Sequence, residues 1–584
     1  MVQLRIALAQ VNPTVGDLDG NSALVAAYAR RAADAGAHLA VFPEMVVTGY
    51  PVEDLALRNS FVSASVKAVH ALAARLADDG LGELPVVVGF LDRREGVGAR
   101  FGQPAGAPQN ATALLHRGRV RLTSAKYHLP NYGVFDEFRN FVPGDTLPVV
   151  RLHGADVAFA VCEDLWQEGG PVTAVRAARA GLLITLNGSP YERDKDDVRL
   201  ELCQRRAREI GAAVGYVNMS GAQDELIFEG DSLVVDADGE LVARACQFDD
   251  ALLVADLDLP EAADPTPAED PVSGIRIRRY TVSTDPVAPY DPLPPAITPR
   301  QDPLSDIGEV YRALVTGLRD YAAKNGFRSV LLGLSGGIDS ALTAAIAADA
   351  VGPAGVYGLL MPSRHSSDHS LADAEDLVKR LGITGRTVPI APIVDAFAGS
   401  VAVDGVAAEN LQARARGTLL MALSNQEGHL VLATGNKSEL ATGYSTLYGD
   451  AVGGYAPIKD CWKTVVWELA RWRNAEAERA GEVPPIPENS ISKPPSAELS
   501  PGQLDTDTLP DYAVLDSLLD AYIGTDKGLL ELTTAGFEPE LVERVIRLVD
   551  RAEYKRRQYP PGPKISSRNL SRDRRLPITN RWTP

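Results

Sequence analysis

The sequence predicts an α/β protein built from two consecutive domains, and three observations carry that prediction. The chain has 584 residues, enough for two to four domains. Short apolar runs typical of strands alternate with alanine-rich helical patterns in both halves. A segment with frequent proline and clustered charge separates the halves. We therefore expect one domain over residues 1–259, a linker over 260–303 and a second domain over 304–584.

Five apolar runs indicate strands in the first half, at residues 5–11, 39–42, 85–89, 157–161 and 182–186. Their alternation with helical patterns predicts a layered α/β domain. The linker carries one predicted strand, 275–282. In the second half the order is a helix over 307–325, a strand over 329–334, a glycine turn and a helix over 340–350. This order predicts a doubly wound parallel sheet.

Composition and charge narrow the class of protein. Hydrophobic residues make up 45% of the chain and charged residues 23%, as in globular proteins. With 58 Lys and Arg against 77 Asp and Glu, the net charge of −19 argues against a nucleic-acid partner. We expect no membrane segment, since no apolar stretch approaches roughly 20 residues. The start lacks a signal-peptide pattern and the 4 Cys form no CxxC pair, which predicts a cytoplasmic protein.

The glycine turn has the features of a phosphate-binding loop. Ser335-Gly-Gly-Ile-Asp-Ser340 stands between a buried strand and a helix start. Gly336 and Gly337 let a ligand approach the backbone, and the amides at the helix N-terminus favour phosphate. Asp339 is placed to hold Mg²⁺ beside those phosphates. A plain turn with Ser340 as helix cap is the alternative, and the complete motif favours phosphate binding.

A second polar segment follows the predicted strand 429–433. Thr434-Gly-Asn-Lys-Ser-Glu439 leaves the sheet at its carboxyl end, where open α/β sheets bind ligands. We expect it to share a crevice with the glycine turn. Taken alone, Glu439 is also compatible with an ordinary first-turn acid favoured by the helix dipole.

In the first half, Cys162, Glu44 and Lys126 form a chemically coherent set. Cys162 ends a strand, where a thiol can be exposed and where nearby amides and cations lower its pKa. Glu44 follows another strand, and Lys126 lies in an aromatic, turn-rich loop. A carboxylate can take the thiol proton, and an ammonium can stabilise an oxyanion. Each residue alone is compatible with a structural role, and their joint occurrence favours catalysis.

This Glu-Lys-Cys order resembles the nitrilase (carbon-nitrogen hydrolase) superfamily, and the flanking segments resemble its glutaminase members. These are Phe42-Pro-Glu44-Met-Val-Val-Thr-Gly-Tyr50, Ser124-Ala-Lys126 and Cys162-Glu-Asp-Leu-Trp166. The resemblance implies an α-β-β-α sandwich in which Glu44 is the general base, Lys126 stabilises the oxyanion and Cys162 is the nucleophile. It further suggests Tyr132, Ser189 and Lys195 as glutamine contacts. The segment 187–191 is equally compatible with an ordinary turn.

The second half resembles the NAD synthetases of the ATP pyrophosphatase group. Besides the glycine turn, the matching segments are Met361-Pro-Ser-Arg-His-Ser-Ser367, Glu409-Asn-Leu-Gln-Ala-Arg-Ala-Arg416, Ala433-Thr-Gly-Asn-Lys-Ser-Glu439 and Tyr448-Gly-Asp450. The resemblance implies that ATP is bound by Gly333, Leu334, Ser335, Gly336, Gly337, Ile338, Asp339, Ser340 and Thr434. It assigns deamido-NAD contacts to Asn410, Glu439 and Lys555, and Mg²⁺ to Asp339 and Glu439. Lys493, in a proline-rich loop, is a candidate phosphate-facing lysine.

Together the two resemblances predict a glutamine-hydrolysing NAD synthetase. Its substrates would be L-glutamine, ATP and deamido-NAD, and ammonia would pass between the domains to a dinucleotide adenylate. We also expect a homo-oligomer. Two alternatives stay open at this point. The second domain adenylates another acceptor, or the first domain is an interaction module in which Cys162 is structural.

Overall fold

Two β-sheets lie face to face at the centre of the first of two units in a computed structural model of the chain. The first unit comprises Met1–Gln223 and Phe228–Leu304, and the second comprises Asp224–Ile227 and Ser305–Pro584. The structure describes residues 1–94, 96, 104–193, 195–264, 266–287, 290, 293, 301–500 and 502–582.

The strands of the first unit are β1 (Val2–Gln10), β2 (Leu39–Val41), β3 (Val86–Arg93), β4 (Pro108–His116), β5 (Arg119–Ala125), β6 (Thr146–Leu152), β7 (Ala155–Val161), β8 (Leu182–Asn187), β9 (Ala213–Asn218), β10 (Ser220–Gln223), β11 (Leu226–Glu229), β12 (Leu233–Val235), β13 (Leu241–Arg244), β14 (Ala251–Leu259) and β15 (Arg276–Thr281). Of these, β11 runs across the boundary between the two units. The helices are α1 (Leu18–Asp34), α2 (Asn59–Asp78), α3 (Glu137–Asn140), α4 (Glu163–Trp166), α5 (Gly170–Ala178) and α6 (Lys195–Ile210).

A six-stranded sheet has the order β14-β1-β2-β3-β4-β5, and a seven-stranded sheet has the order β13-β12-β9-β8-β7-β6-β15. Alternating residues of β1 explain the stacking. Leu4, Ile6 and Leu8 join a core shared with β7 and β8, whereas Ala7 and Ala9 face α1 and α2. On the other sheet, α5 and α6 cover the outer face. The predicted α-β-β-α sandwich is confirmed.

The strand predicted in the linker is present as β15, which pairs in parallel with β6 at the edge of the seven-stranded sheet. Residues 260–264 and 266–287 therefore cluster with the first unit. The predicted linker residues 265, 288–289, 291–292 and 294–300 lie outside the described residues.

The second unit contains the strands β16 (Val330–Gly333), β17 (Val356–Leu360), β18 (Thr384–Thr387) and β19 (Leu430–Val431). Its helices are α7 (Asp306–Lys324), α8 (Ile338–Val351), α9 (Asp368–Leu381), α10 (Ala391–Ser400), α11 (Gly405–Glu427), α12 (Lys437–Thr442), α13 (Lys463–Arg479), α14 (Glu488–Ser492), α15 (Tyr512–Leu519), α16 (Leu529–Thr534), α17 (Pro539–Arg551) and α18 (Glu553–Arg556).

These four strands are all parallel and have the order β18-β17-β16-β19. The chain thus builds outward from β16 in one direction and then returns to its other side, which is the doubly wound arrangement that the sequence predicts. The switch point lies between β16 and β19, so the segments after these two strands border one crevice. Within the described part of the chain, no helix is both long and apolar enough to cross a membrane.

Candidate active sites

The carboxyl ends of three strands bring Glu44, Lys126 and Cys162 together in the first unit. Glu44 follows β2, Lys126 directly follows β5, and Cys162 directly follows β7. All three side chains are buried. The first two strands belong to the six-stranded sheet and the third to the seven-stranded sheet, so the site lies where the two stacked sheets meet.

Lys126 is the cation at the centre of this site. Its Nζ donates to Glu44 Oε1 at 2.8 Å and to Glu137 Oε1 at 3.0 Å. Burial opposes its charge, but the Glu137 and Glu44 carboxylates raise the pKa of Lys126 well above its ordinary value. Lys126 therefore carries a positive charge beside the thiol.

Glu44 is held in one orientation by three donors. Besides Lys126, the amide of Asn110 donates to Oε1 at 2.6 Å, and the backbone N–H of Gly188 donates to Oε2 at 2.8 Å. These three hydrogen bonds fix the direction in which the two carboxylate oxygens of Glu44 point. An oriented carboxylate beside a thiol is the arrangement that a general base requires.

Glu137 is a second buried carboxylate in the same site, and it also accepts from the Tyr50 hydroxyl at 3.0 Å. Burial raises the pKa of Glu137 to about 7, against the opposing effect of Lys126. Sequence reasoning assigned no role to Glu137, Asn110 or Tyr50. One signal was available for Glu137, because it ends the same aromatic loop that carries Lys126.

Cys162 has a strained backbone and a protonated thiol. Its φ is 43° and its ψ is −95°, an uncommon conformation for a residue with a side chain. The expectation of an exposed thiol with a lowered pKa is wrong, because Cys162 is only 5% exposed. Burial, and secondarily Glu44, raise the pKa of Cys162 well above its ordinary value, although Lys126 lowers it. The thiol therefore needs a base to lose its proton.

The predicted glutamine contacts lie around this centre. The hydroxyl of Tyr132, whose residue is 55% exposed, donates to Glu163, the residue after Cys162, at 2.9 Å. Ser189 is buried and adjoins Gly188, whose N–H holds Glu44. Lys195 begins α6, donates to the Pro190 carbonyl at 3.1 Å and lies 5.8 Å from the centre of the Trp166 ring.

In the second unit, the predicted ATP-binding segment 333–340 joins β16 to α8. Gly336 has a φ of 78°, and a Cβ at this position would lie 2.1 Å from the Ser370 carbonyl oxygen. Only glycine fits such a position. Ser335 Oγ accepts from the Gly337 N–H at 3.2 Å and lies 3.2 Å from Ser340 Oγ. Thr434 follows β19 on the other side of the switch point.

Asp339 and Glu439 face each other across this switch point. Asp339 accepts from the Asn436 amide at 3.0 Å and pairs with the buried Lys463 ammonium. Glu439 forms a capping box with Asn436 at the start of α12. Burial and the nearby Asp339 carboxylate raise the pKa of Glu439 well above its ordinary value. The structure thus brings together two repelling carboxylates and one cation.

Lys463 was missed by sequence reasoning. It stands at the first position of α13, where the helix dipole disfavours a cation, and such a conflict is a sequence signal for a role outside the helix. Burial opposes its charge, but Asp339 and Glu439 raise the pKa of Lys463. Lys437, by contrast, pairs with Asp460 at 2.8 Å.

The other predicted residues of the second unit flank the segment after α12. Asn410 accepts from the Thr446 hydroxyl at 2.7 Å. Lys555 donates to the carbonyls of Gly443 and Ser445 at 2.7 and 2.6 Å, and burial lowers the pKa of Lys555. The predicted phosphate-facing Lys493 is ion-paired with Asp373 at 2.8 Å.

The C-terminal segment 551–581 carries ten Lys and Arg, and several of these cations serve the fold. Arg556 donates to the Ala441 carbonyl at the end of α12 at 2.8 Å, and Lys564 is buried 3.7 Å from Asp573. Arg568 pairs with Asp526. These internal partners explain part of the local positive charge.

The fold and the site define a two-unit protein, in which an α-β-β-α sandwich with a buried Glu-Lys-Cys centre precedes a doubly wound α/β unit. Comparisons with known proteins agree. The carbon-nitrogen hydrolase family model matches residues 5–264, and the NAD synthase model matches residues 310–559.

Curated relatives extend the similarity to the whole chain. The glutamine-dependent NAD(+) synthetase of Acinetobacter baylyi is 42% identical over 100% of both chains. That of Thermotoga maritima is 41% identical over 100% of this chain and 99% of its own. The solved glutamine-dependent NAD+ synthetase from Acinetobacter baumannii, in complex with adenosine diphosphate, is 38% identical, with a TM-score of 0.72 and 99% of each chain covered. The chain belongs to the family of glutamine-dependent NAD(+) synthetases.

Proposed function

We propose that the protein makes NAD from deamido-NAD, taking the nitrogen from the side-chain amide of L-glutamine and consuming ATP. The observation that carries the proposal is the buried Lys126–Glu44 pair beside Cys162. The same chain also has Asp339 and Glu439 at the switch point of its parallel sheet, where open α/β sheets bind ligands. The overall reaction converts deamido-NAD, ATP, glutamine and water into NAD, AMP, pyrophosphate and glutamate.

The first half-reaction is glutamine hydrolysis. Glu44 takes the thiol proton as Cys162 Sγ attacks the side-chain amide carbon, and Lys126 stabilises the developing oxyanion. Glu44 then gives the proton to the leaving nitrogen, so ammonia departs and a thioester remains. Glu44 next takes a proton from water, which attacks the thioester, and the thiol recovers its proton as glutamate leaves.

Tyr132, Ser189 and Lys195 are proposed to hold glutamine over Cys162. Lys195 supplies a cation for the α-carboxylate, and Ser189 lies beside the residue that orients Glu44. Tyr132 reaches the site from a partly exposed position and contacts Glu163, so it can close over a bound amino acid.

The second half-reaction is adenylation followed by amidation. The nicotinate carboxylate of deamido-NAD attacks the α-phosphorus of ATP and releases pyrophosphate. Ammonia then attacks the carbonyl carbon of the dinucleotide adenylate, and AMP leaves. Residues 333–340 and Thr434 are proposed to hold ATP at the N-terminus of α8, while Asn410, Glu439 and Lys555 contact the dinucleotide.

Asp339 and Glu439 fit a Mg²⁺ ion. The Asp339 carboxylate raises the pKa of Glu439, and a cation between the two groups relieves that repulsion. Among the described residues no group of three or more His, Cys, Asp or Glu could hold a metal, so phosphate oxygens would complete the coordination. When bound, the ion supplies positive charge that stabilises the leaving pyrophosphate.

We further propose that the protein acts in the cytoplasm as a homo-oligomer. All ten residues of α10 are at least partly exposed, although its sequence is largely apolar. Phe397, Val401 and Val406 are 55%, 64% and 70% exposed, and such an apolar surface favours burial against a second copy. Sedimentation equilibrium tests this, because Phe397→Glu should lower the mass of the particle. An unchanged mass would reject this surface as the contact.

Isotope transfer tests the proposed reaction. Glutamine labelled with ¹⁵N in its side-chain amide is supplied with deamido-NAD, ATP and Mg²⁺, and the products are identified by mass spectrometry. We expect labelled NAD together with glutamate, AMP and pyrophosphate. Adenylation of some other acceptor would instead give no NAD, and unlabelled NAD would exclude glutamine as the nitrogen donor.

A further inference from the structure

Asp164 is a buried carboxylate that takes no part in the proposed chemistry. It accepts hydrogen bonds from backbone N–H groups next to Lys126 and next to Cys162. Its residue is 2% exposed. Oδ1 accepts from the N–H of Tyr127 at 3.1 Å and of His128 at 2.8 Å. Oδ2 accepts from the N–H of Val161 at 3.1 Å. One carboxylate therefore joins the residues just after Lys126 to the residue just before Cys162.

The two groups joined in this way belong to different sheets. Lys126 continues β5 of the six-stranded sheet, and Cys162 continues β7 of the seven-stranded sheet. Strand hydrogen bonds fix positions within each sheet, whereas stacked sheets meet through side chains. A hydrogen-bonded link between the ends of β5 and β7 therefore holds the two sheets in place relative to each other, which the hydrogen bonds within each sheet do not do.

The backbone at Cys162 also requires support. Its positive φ of 43° persists only when the surroundings hold it, and strain of this kind is common at nucleophiles. The Cys162 N–H donates to the Leu186 carbonyl at 3.0 Å, and the preceding N–H, that of Val161, is held by Asp164. The backbone at Cys162 is thus held by Leu186 and, through the preceding residue, by Asp164.

We propose that Asp164 is the positioning residue that sets the placement of Lys126 against Cys162, an inference that rests on the proposed glutamine hydrolysis. Asp164→Asn tests it, because an amide offers one acceptor oxygen and must turn its NH₂ toward at least one backbone N–H. We expect kcat for glutamine hydrolysis to fall roughly tenfold to a hundredfold, the range for misplacement by about 1 Å. The KM for glutamine should change little, and ammonium-supported NAD formation should be retained.

Asp156→Asn is the matched control. Asp156 is equally buried and is the second residue of the same strand, β7, but it pairs with Arg151 at the end of the strand away from Cys162. The kcat of Asp156→Asn for glutamine hydrolysis should stay within about twofold of that of the unaltered protein. If Asp164→Asn does not fold, Asp164→Ser carries the same prediction, since a hydroxyl keeps one acceptor and removes the opposed NH₂.

Three results would overturn the proposal. The first is an Asp164→Asn protein with kcat within about twofold of the unaltered one. The second is an equal loss of glutamine-supported and ammonium-supported activity, which indicates general destabilisation. The third is an unaltered protein that forms NAD from ammonium but no glutamate from glutamine. That result removes the proposed hydrolysis itself and is distinguishable from the first two.

Discussion

Lys126 and Glu44 form an ion pair of 2.8 Å from which solvent is almost completely excluded, with side-chain exposures of 1% and 0%. Burying two charges is costly, and the interaction between them offsets that cost only when the geometry is good. Here the pair also has Glu137 on one side and Asn110 on the other. A site that keeps so many polar groups out of water is better explained by chemistry than by stability.

Replacing Lys126 should affect both stability and one of the two activities. Lys126→Met leaves Glu44 and Glu137 as buried carboxylates without their cation, which we expect to destabilise the first unit by about 3–5 kcal/mol. Glutamine-supported NAD formation should be lost, and ammonium-supported formation should remain. Lys67→Met, at an exposed position of α2, is the control and should change stability by less than about 0.5 kcal/mol. Retained glutamine use in Lys126→Met would contradict the assignment.

Glu137 should make stability depend on pH. Because burial raises its pKa from 4.5 to about 7, the folded state binds more protons than the unfolded state between these values. The free energy of unfolding should therefore fall as pH rises through this window. Glu137→Gln should make that fall shallower, by up to about 1.4 kcal/mol per pH unit.

Urea unfolding at pH 5, 6 and 7, monitored by hydrogen-exchange mass spectrometry, measures the free energy of unfolding of each unit separately. Glu201→Gln, at an exposed position of α6, is the control. An identical slope in Glu137→Gln and in the control would show that Glu137 does not titrate in this window.

Replacing Lys463, unlike replacing Lys126, should lower NAD formation with both nitrogen sources. Lys463→Met leaves Asp339 and Glu439 as two neighbouring carboxylates without their buried cation, so binding of ATP should weaken. We expect NAD formation to fall with both nitrogen sources, measured as kcat/KM for ATP. Lys463→Arg should restore part of it, and Lys379→Met on the exposed face of α9 should have no effect. A selective loss of the glutamine-supported reaction would contradict this prediction.

Gly336 and Gly352 offer a matched pair for testing the phosphate-binding turn. Both have a φ of 78°, but a Cβ at 336 meets the Ser370 carbonyl at 2.1 Å, whereas a Cβ at 352 meets nothing within 4 Å. Each Ala variant bears backbone strain of about 1–3 kcal/mol. Only Gly336→Ala should raise the KM for ATP, measured with ammonium as nitrogen source. An equal rise in both variants would assign the effect to strain alone.

Sequence reasoning predicted the features that short segments carry. Apolar runs located the strands before Glu44 and Cys162, and the motif after β16 located the turn at Gly336. The partners of these residues were harder to find, because chain folding brings them from far away. Asn110 is 66 residues from Glu44, and Lys463 is 124 residues from Asp339. The exposure of Cys162 was mispredicted because a strand end gives no measure of what packs over it.

The most direct test of two cooperating sites is NAD formation from deamido-NAD, ATP and Mg²⁺ by the unaltered protein and by Cys162→Ala, each supplied with glutamine or with ammonium. We expect the unaltered protein to use both nitrogen sources and Cys162→Ala to use ammonium alone. If Cys162→Ala retained the glutamine-supported rate, the first unit would be a docking module and not the source of ammonia.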